Sequence, residues 1–298
     1  MIDFKVPKSK NCVIIDTKKW VQNSSQILTV HRMSGRDIPT YIAEVLCANI
    51  ERECLQGAVK EGDKVLLTRV ASEVAQYRAF EVEVGDKRYY DVPVMQVLGV
   101  FRDGISFSSL DMLFDKILIK RIEDTTAGKL QLPDNNTMIG EVIKVGTCRF
   151  DKDWKQQKLR VNTGDRVLIR DNVTTEITLN GETYYATEEG MVVGVFEGND
   201  YSLNSLRLLN DSIIFDSYVA ENVLGSSLLT PNMNYENEDI TDIYNRDLFK
   251  VLASDKSLTK LQKDDIIIVD RSVTNYVYIG TDKYFMLSGM DYIEAKVN

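Results

Sequence analysis

Apolar residues in this chain fall into short runs, and the runs recur in one order three times. Three of them open alike: Cys12-Val13-Ile14-Ile15-Asp16, Lys116-Ile117-Leu118-Ile119-Lys120 and Ser212-Ile213-Ile214-Phe215-Asp216. Short runs rich in β-branched and aromatic residues, bounded by Gly, Asn and Asp, predict strands. A second landmark is a turn that feeds an apolar run. It reads Glu61-Gly62-Asp63-Lys64-Val65-Leu66-Leu67, then Thr163-Gly164-Asp165-Arg166-Val167-Leu168-Ile169, then Lys263-Asp264-Asp265-Ile266-Ile267-Ile268-Val269. Gly accepts positive φ and Asp bonds to nearby backbone, which is tight-turn chemistry. A third landmark is an aromatic pair: Tyr89-Tyr90, Tyr184-Tyr185 and Tyr284-Phe285. Each pair follows a Gly-containing hairpin signal, at Gly85-Asp86-Lys87, Asn180-Gly181-Glu182 and Gly280-Thr281-Asp282. The last landmark closes each unit, as Val97-Leu98-Gly99-Val100, Val192-Val193-Gly194-Val195 and Tyr292-Ile293-Glu294-Ala295.

Four landmarks in the same order, three times over, point to duplication. The expected fold class is all-β: three tandem small barrels, spanning residues 1–108, 109–200 and 201–298. Turn residues at Asp103-Gly104 and Gly198-Asn199-Asp200 mark the joints, and the links are short enough that neighbouring barrels should touch. Val65, Leu67, Val167, Ile169, Ile266 and Ile268 sit at alternate positions and should share inward faces. Within each aromatic pair, one ring should point in and the other out. The best helical candidate is the short segment from Glu236 to Leu248. The stretch from Ser217 to Arg246 is long for a compact domain and leaves room for an incomplete third barrel.

Composition narrows the function. The 298 residues suffice for two or three domains. A formal net charge of −9, with no basic stripe, argues against nucleic acid as a partner. No apolar run reaches the roughly 20 residues of a bilayer span, so no membrane partner is expected. The start, Met1-Ile2-Asp3-Phe4-Lys5, lacks the apolar stretch of a signal peptide, so a cytoplasmic setting is expected. Four cysteines (Cys12, Cys47, Cys54 and Cys148) lack metal-ligand spacing, and Cys12 and Cys47 lie in strand-like runs as reduced thiols. The single histidine, His31, has no nucleophile–base partner of its own kind. No Gly-rich phosphate loop joins a strand to a helix. No metal, no cofactor and no catalytic residue are expected.

The second unit, Phe114 to Gly198, resembles a whole GroES-type co-chaperonin subunit. Asp115-Lys116-Ile117-Leu118-Ile119-Lys120-Arg121 is similar to the family's first strand. Gly140-Glu141-Val142-Ile143-Lys144-Val145-Gly146 resembles the strand after its mobile loop, and Val161-Asn162-Thr163-Gly164-Asp165-Arg166-Val167-Leu168 its V-x-x-G-D-x-V segment. The resemblance implies that the intervening loop, Ala127-Gly128-Lys129-Leu130-Gln131-Leu132-Pro133-Asp134, docks on a chaperonin ring. Leu130 and Leu132 would be the docking side chains, flanked by Gln131 and Pro133. The outer units resemble the family less, but each places a long loop after its first strand. Those loops carry Ile27 and Leu28 in the first unit, and Leu228 and Leu229 in the third. Such loops fit anchors that order on a partner protein.

Two functions without turnover follow. One is a structural or assembly protein, built on co-chaperonin-like barrels, that docks on other proteins in a larger particle. A virion or capsid would be such a particle if the source is a phage, and the protein would then reside there. The alternative is a co-chaperonin that caps a chaperonin ring. The resemblance implies a sevenfold lid, and three linked barrels do not divide seven. A lid also gains avidity from identical anchors, whereas these three loops differ. The assembly role is therefore preferred, with the protein as part of an oligomeric assembly.

Overall fold

A computed structural model describes residues 10–16, 42–68, 81–84, 87–122, 137–170, 174–198, 200–218, 246–270, 273–279 and 282–297. It is all β; the described residues contain strands and short 3-10 turns and no α-helix. The strands are β1 (Cys12–Asp16), β2 (Ile42–Asn49), β3 (Lys64–Leu67), β4 (Glu81–Val84), β5 (Lys87–Pro93), β6 (Val97–Phe101) and β7 (Leu110–Met112). They continue as β8 (Lys116–Arg121), β9 (Thr137–Val145), β10 (Arg149–Phe150), β11 (Gln156–Gln157), β12 (Arg166–Arg170), β13 (Thr175–Leu179), β14 (Glu182–Glu188), β15 (Val192–Phe196) and β16 (Leu206–Leu208). The last are β17 (Ser212–Ser217), β18 (Arg246–Ser254), β19 (Ile266–Asp270), β20 (Asn275–Ile279), β21 (Asp282–Ser288) and β22 (Ile293–Val297).

Three large sheets result. Their strand orders are β4-β5-β1-β2-β3-β6-β7, β13-β14-β8-β9-β12-β15-β16 and β20-β21-β17-β18-β19-β22. Counted within each sheet, the first six strands follow one order, and the third sheet has no seventh strand among the described residues. The likeness extends to irregularities. The second strand of each sheet is bulged against the first, with Leu46, Ile143 and Leu252 as the extra residues, opposite the steps Ile14/Ile15, Leu118/Ile119 and Ile214/Phe215. A bulge inserts one unpaired residue and bends the strand.

The Asp turns are equally alike. Asp63, Asp165 and Asp265 accept, on Oδ2, the backbone N–H of Lys60, Asn162 and Gln262 at 2.8, 2.8 and 2.7 Å. Beyond each turn the second strand's Val45, Val142 or Val251 donates to the Asp carbonyl. The residue before each Asp has positive φ: +84° at Gly62, +90° at Gly164, and 74° at Asp264, where the third turn uses a side chain that tolerates this region.

The contacts sort the chain into two compact units. One holds the first sheet with β8, β10, β11, β13, β14 and most of β9; the other holds β15–β22. In the first sheet, Val13 and Ile15, Ala43 and Val45, Val65 and Leu67, Val92, and Val97 and Val100 meet in one core, so the sheet curls around it. Burying such side chains is worth roughly 1.5–3 kcal/mol each. In the third sheet the core is Ile213, Phe215, Phe249, Val251, Leu261, Ile267, Val269, Phe285 and Leu287. Val167 and Ile169 are fully buried at the matching positions of the middle sheet.

Two expectations need correction here. Ile266 and Ile268 are only partly buried, and it is Ile267 and Val269 that enter the core. The register explains this: Ile266 occupies the place of Lys64 and Arg166, directly after the Asp turn. With four apolar residues in succession, alternation cannot be read from residue type. The helical candidate also fails where it is described, since Arg246 to Leu248 open strand β18; residues 236–245 lie outside the described residues.

Candidate partner-docking loops

The loops singled out in the sequence all connect the first and second strands of a sheet. They span residues 17–41, 123–136 and 219–245. All eight candidate docking residues, Ile27, Leu28, Leu130, Gln131, Leu132, Pro133, Leu228 and Leu229, lie outside the described residues, as does His31. What the structure places is the root of each loop.

The three roots share a backbone and differ in chemistry. The first closes with Asp16 opposite Glu44. The middle one closes with Lys120 opposite Glu141 and Arg121 opposite Gly140, and Ile122 N–H donates to the Ile139 carbonyl at 3.0 Å. The third closes with Asp216 opposite Lys250 and Ser217 opposite Phe249; Tyr218 N–H donates to the Leu248 carbonyl at 2.9 Å. Gly140 is required by close packing, because a Cβ there would stand 2.3 Å from Ile119 Cγ2 and 3.0 Å from the Lys120 carbonyl oxygen.

A lysine at each of the middle and third roots is paired. Lys120 Nζ lies 2.9 Å from Glu182, whose carboxyl is held below its ordinary range by the hydrogen bonds from Lys120 and Tyr184. The Tyr184 hydroxyl donates to Glu182 at 2.8 Å, and burial, reinforced by that carboxylate, pushes the phenol up to about 12. At the third root Lys250 Nζ lies 2.7 Å from Asp264, which raises the ammonium and lowers the carboxyl. Both bridges are exposed to water and add little stability.

The aromatic pairs pack rather than present. Tyr90, Tyr185 and Phe285 stand opposite Ile15, Ile119 and Phe215 in one shared register. Tyr90 packs on the first core, and Phe285 belongs to the third. The neighbouring Tyr184 turns to the other face, as alternation requires. It stacks on Phe107 with ring centroids 5.1 Å apart and planes 20° from parallel.

Sequence reasoning missed three local features. One is the face to which Tyr184 belongs, where Leu118, Ile177, Leu179 and Ala186 pack with Ile42, Leu66, Leu98, Phe101, Leu110 and Met112 of the first sheet. Apolar residues on both faces of β6, and Ile177 and Leu179 alternating with Glu176 and Thr178 in β13, were the available signal. Another is the small β10–β11 hairpin. Arg52 lies 3.7 Å above the Trp154 ring, and Phe150 links Trp154 to Phe114 at 5.6 Å on each side. No spacing in the sequence connects Arg52 to Trp154. Lys116, almost wholly buried, is paired with Asp115 at 2.5 Å and Glu188 at 3.1 Å; a lysine at the head of an apolar strand gave no hint of this.

Comparison with known proteins bears on the middle sheet. The family model for the chaperonin 10 Kd subunit matches residues 109–196. The co-chaperonin GroES 2 of Mesorhizobium japonicum is 41% identical over 90 residues, covering 28% of this chain and 86% of that protein. The co-chaperonin GroES of Thioalkalivibrio sulfidiphilus is 37% identical over 91 residues, covering 29% and 95%. That of Halorhodospira halophila is 33% identical over 95 residues, covering 30% and 99%.

Proposed function

The chain belongs to the chaperonin 10 Kd subunit family through its middle sheet, and on that footing we propose that it is a non-enzymatic docking protein whose residues 123–136 engage a chaperonin ring. One observation carries this reading. The likeness spans nearly the full length of single-domain co-chaperonins, and β8 and β9 present residues 123–136 between them. Leu130 and Leu132 supply the apolar anchors, with Gln131 and Pro133 shaping the segment. The first and third sheets are further copies of the same barrel, bounded near residues 108 and 200, and they carry Ile27 and Leu28, and Leu228 and Leu229, on loops of the same origin.

A second reading is a component of a larger particle, such as a virion, in which the three loops meet three different neighbours. The unequal roots favour it: Asp16 stands opposite Glu44 in the first, and Lys120 and Arg121 lie in the middle one. One experiment separates the two. The purified chain is mixed with a chaperonin and ATP, and complex formation and ATP turnover are followed. Ring docking predicts nucleotide-dependent binding, slowed turnover, and loss of both in the Leu130→Ser/Leu132→Ser variant. Absence of binding by the unaltered chain leaves the particle reading in place.

A further inference from the structure

Trp154 stands at the tip of the β10–β11 hairpin, within the first compact unit, in a backbone conformation that a bulky residue rarely takes. Its φ is 63°, in the left-handed region that glycine and asparagine fill at little cost. The tip is closed around it. Trp154 N–H donates to the Asp151 carbonyl at 3.0 Å, and Asp151 N–H donates to the Lys155 carbonyl at 3.1 Å. Asp151 Oδ1 also accepts the N–H groups of Asp153 and Lys155, each at 2.9 Å. The base is held as firmly: Glu189, 2% exposed, accepts the N–H groups of Arg160 and Val161. A braced hairpin therefore presents a tryptophan that is 37% exposed.

The ring holds a cation in turn. Arg52, from the segment between β2 and β3, lies 3.7 Å from the ring centroid. Its backbone N–H is fixed by Asn11 Oδ1 at 2.8 Å, while its guanidinium is exposed and donates to no carboxylate or carbonyl among the described residues. The neighbouring Glu51 is taken by Lys10 at 3.0 Å. A guanidinium set against an aromatic ring keeps its planar fork oriented and its N–H edge available, and that fork matches a carboxylate. The surrounding charge has the same sign. Residues 149–160 carry five basic side chains against two acidic ones, in a chain of net charge −9. Lys152, Lys155 and Lys158 are exposed, and Lys152 and Lys158 make no ion pair among the described residues.

The geometry points to Arg52 and Trp154 as a docking site for an acidic segment of a partner protein. Arg52 takes a Glu or Asp carboxylate, Trp154 covers an apolar side chain beside it, and the hairpin lysines draw the segment in. Nucleic acid fits less well. A single strand binds through stacking of successive bases, and this tip offers one indole with the exposed Asp153 next to it. The site uses none of residues 123–136, so it serves whichever assembly those residues join.

Fluorescence anisotropy of a labelled oligoglutamate peptide with one central leucine, titrated with the full chain, tests this. The unaltered chain is expected to bind it saturably, and to bind the same peptide with glutamine for glutamate at least about tenfold more weakly. Arg52→Ala, Trp154→Gly and Lys152→Glu/Lys158→Glu are each expected to weaken binding by about tenfold or more. Arg52→Lys, which keeps the charge and loses the fork, should not restore it. Glycine suits the left-handed tip, so Trp154→Gly is expected to stay folded by circular dichroism. If it does not, Arg52→Ala and the double lysine variant, altered only at exposed side chains, are read alone. Absence of saturable binding by the unaltered chain overturns the inference. So does equal binding of the glutamine peptide, or binding undiminished in Arg52→Ala. Tighter binding of a single-stranded oligothymidylate than of the peptide overturns it in favour of nucleic acid.

Discussion

Gly140→Ala tests whether the root of the middle loop is packed as tightly as its geometry requires. The added Cβ would sit 2.3 Å from Ile119 Cγ2, whereas carbon atoms rest at roughly 3.5–4 Å. Ile119 is fully buried and cannot swing to solvent. The second contact, 3.0 Å to the Lys120 carbonyl oxygen, belongs to a paired strand and can yield only a few tenths of an ångström. Overpacking of this kind costs roughly 1–3 kcal/mol, and the lost chain freedom of glycine returns about 0.4–1. The net expectation is about 1–2 kcal/mol, read as a fall in melting temperature of about 2–8 °C for a unit of roughly 150–250 residues. The cause can be isolated, because leucine lacks the β-branch methyl. Ile119→Leu alone should cost under about 1.5 kcal/mol, and in combination with Gly140→Ala the total loss should fall short of the sum by more than about 1 kcal/mol. Thermal and urea unfolding of the four proteins supply the cycle. Strict additivity, or a Gly140→Ala cost under about 0.5 kcal/mol, would refute the assigned contact.

Four further outcomes follow from the same structure. Tyr184, raised to about 12 from an unfolded value near 10, binds its proton more tightly when folded, so stability should fall as pH rises from about 10 to about 12; Tyr184→Phe should flatten that part of the alkaline melting profile. Asp264→Gly should melt above the parent, because it removes a side chain from φ 74° and loses only a solvent-exposed pair with Lys250. Phe107→Ala should cost about 2 kcal/mol in urea unfolding, since it removes the ring that stacks on Tyr184 and lies 4.7 Å from Lys144 Nζ. A fragment of residues 109–200 should self-associate by sedimentation, because it exposes Leu118, Ile177, Leu179 and Ala186, and carries β7 away from β6; a stable monomer would contradict the contact described.

The common strand order of the three sheets was legible because it is marked by turns and strand heads, the positions with the fewest chemical solutions. Gly62-Asp63 and Gly164-Asp165 announce one turn, and Lys263-Asp264-Asp265 could still be matched to it because Asp265 keeps its acceptor role. The inward face of β3 was readable since Lys64 fixes the phase. That of β19 was not, because Ile266, Ile267, Ile268 and Val269 satisfy either phase. The sheet-to-sheet contact stayed hidden for a related reason. Strands buried on both faces carry no polar alternation to show which side meets a neighbour. Docking residues were chosen from apolar side chains in long loops, and of those loops only the roots are described.

Residues 110–112 and 206–208 explain why boundary reading was the least direct step. Turn residues at Asp103-Gly104 and Gly198-Asn199-Asp200 suggested joints, yet the segments that follow are not spacers. Strand β7 pairs with β6, with Gly99 opposite Met112, and β16 pairs with β15, with Gly194 opposite Leu208. Both glycines are demanded by that pairing: a Cβ on Gly99 would stand 2.7 Å from the Asp111 carbonyl oxygen, and one on Gly194 2.8 Å from that of Arg207. Three residues after β7 ends, the chain opens β8, with Lys116 N–H bonded back to the Leu113 carbonyl; Ser212 N–H repeats this on Leu209. Each link thus completes the sheet behind it while aligning the strand ahead.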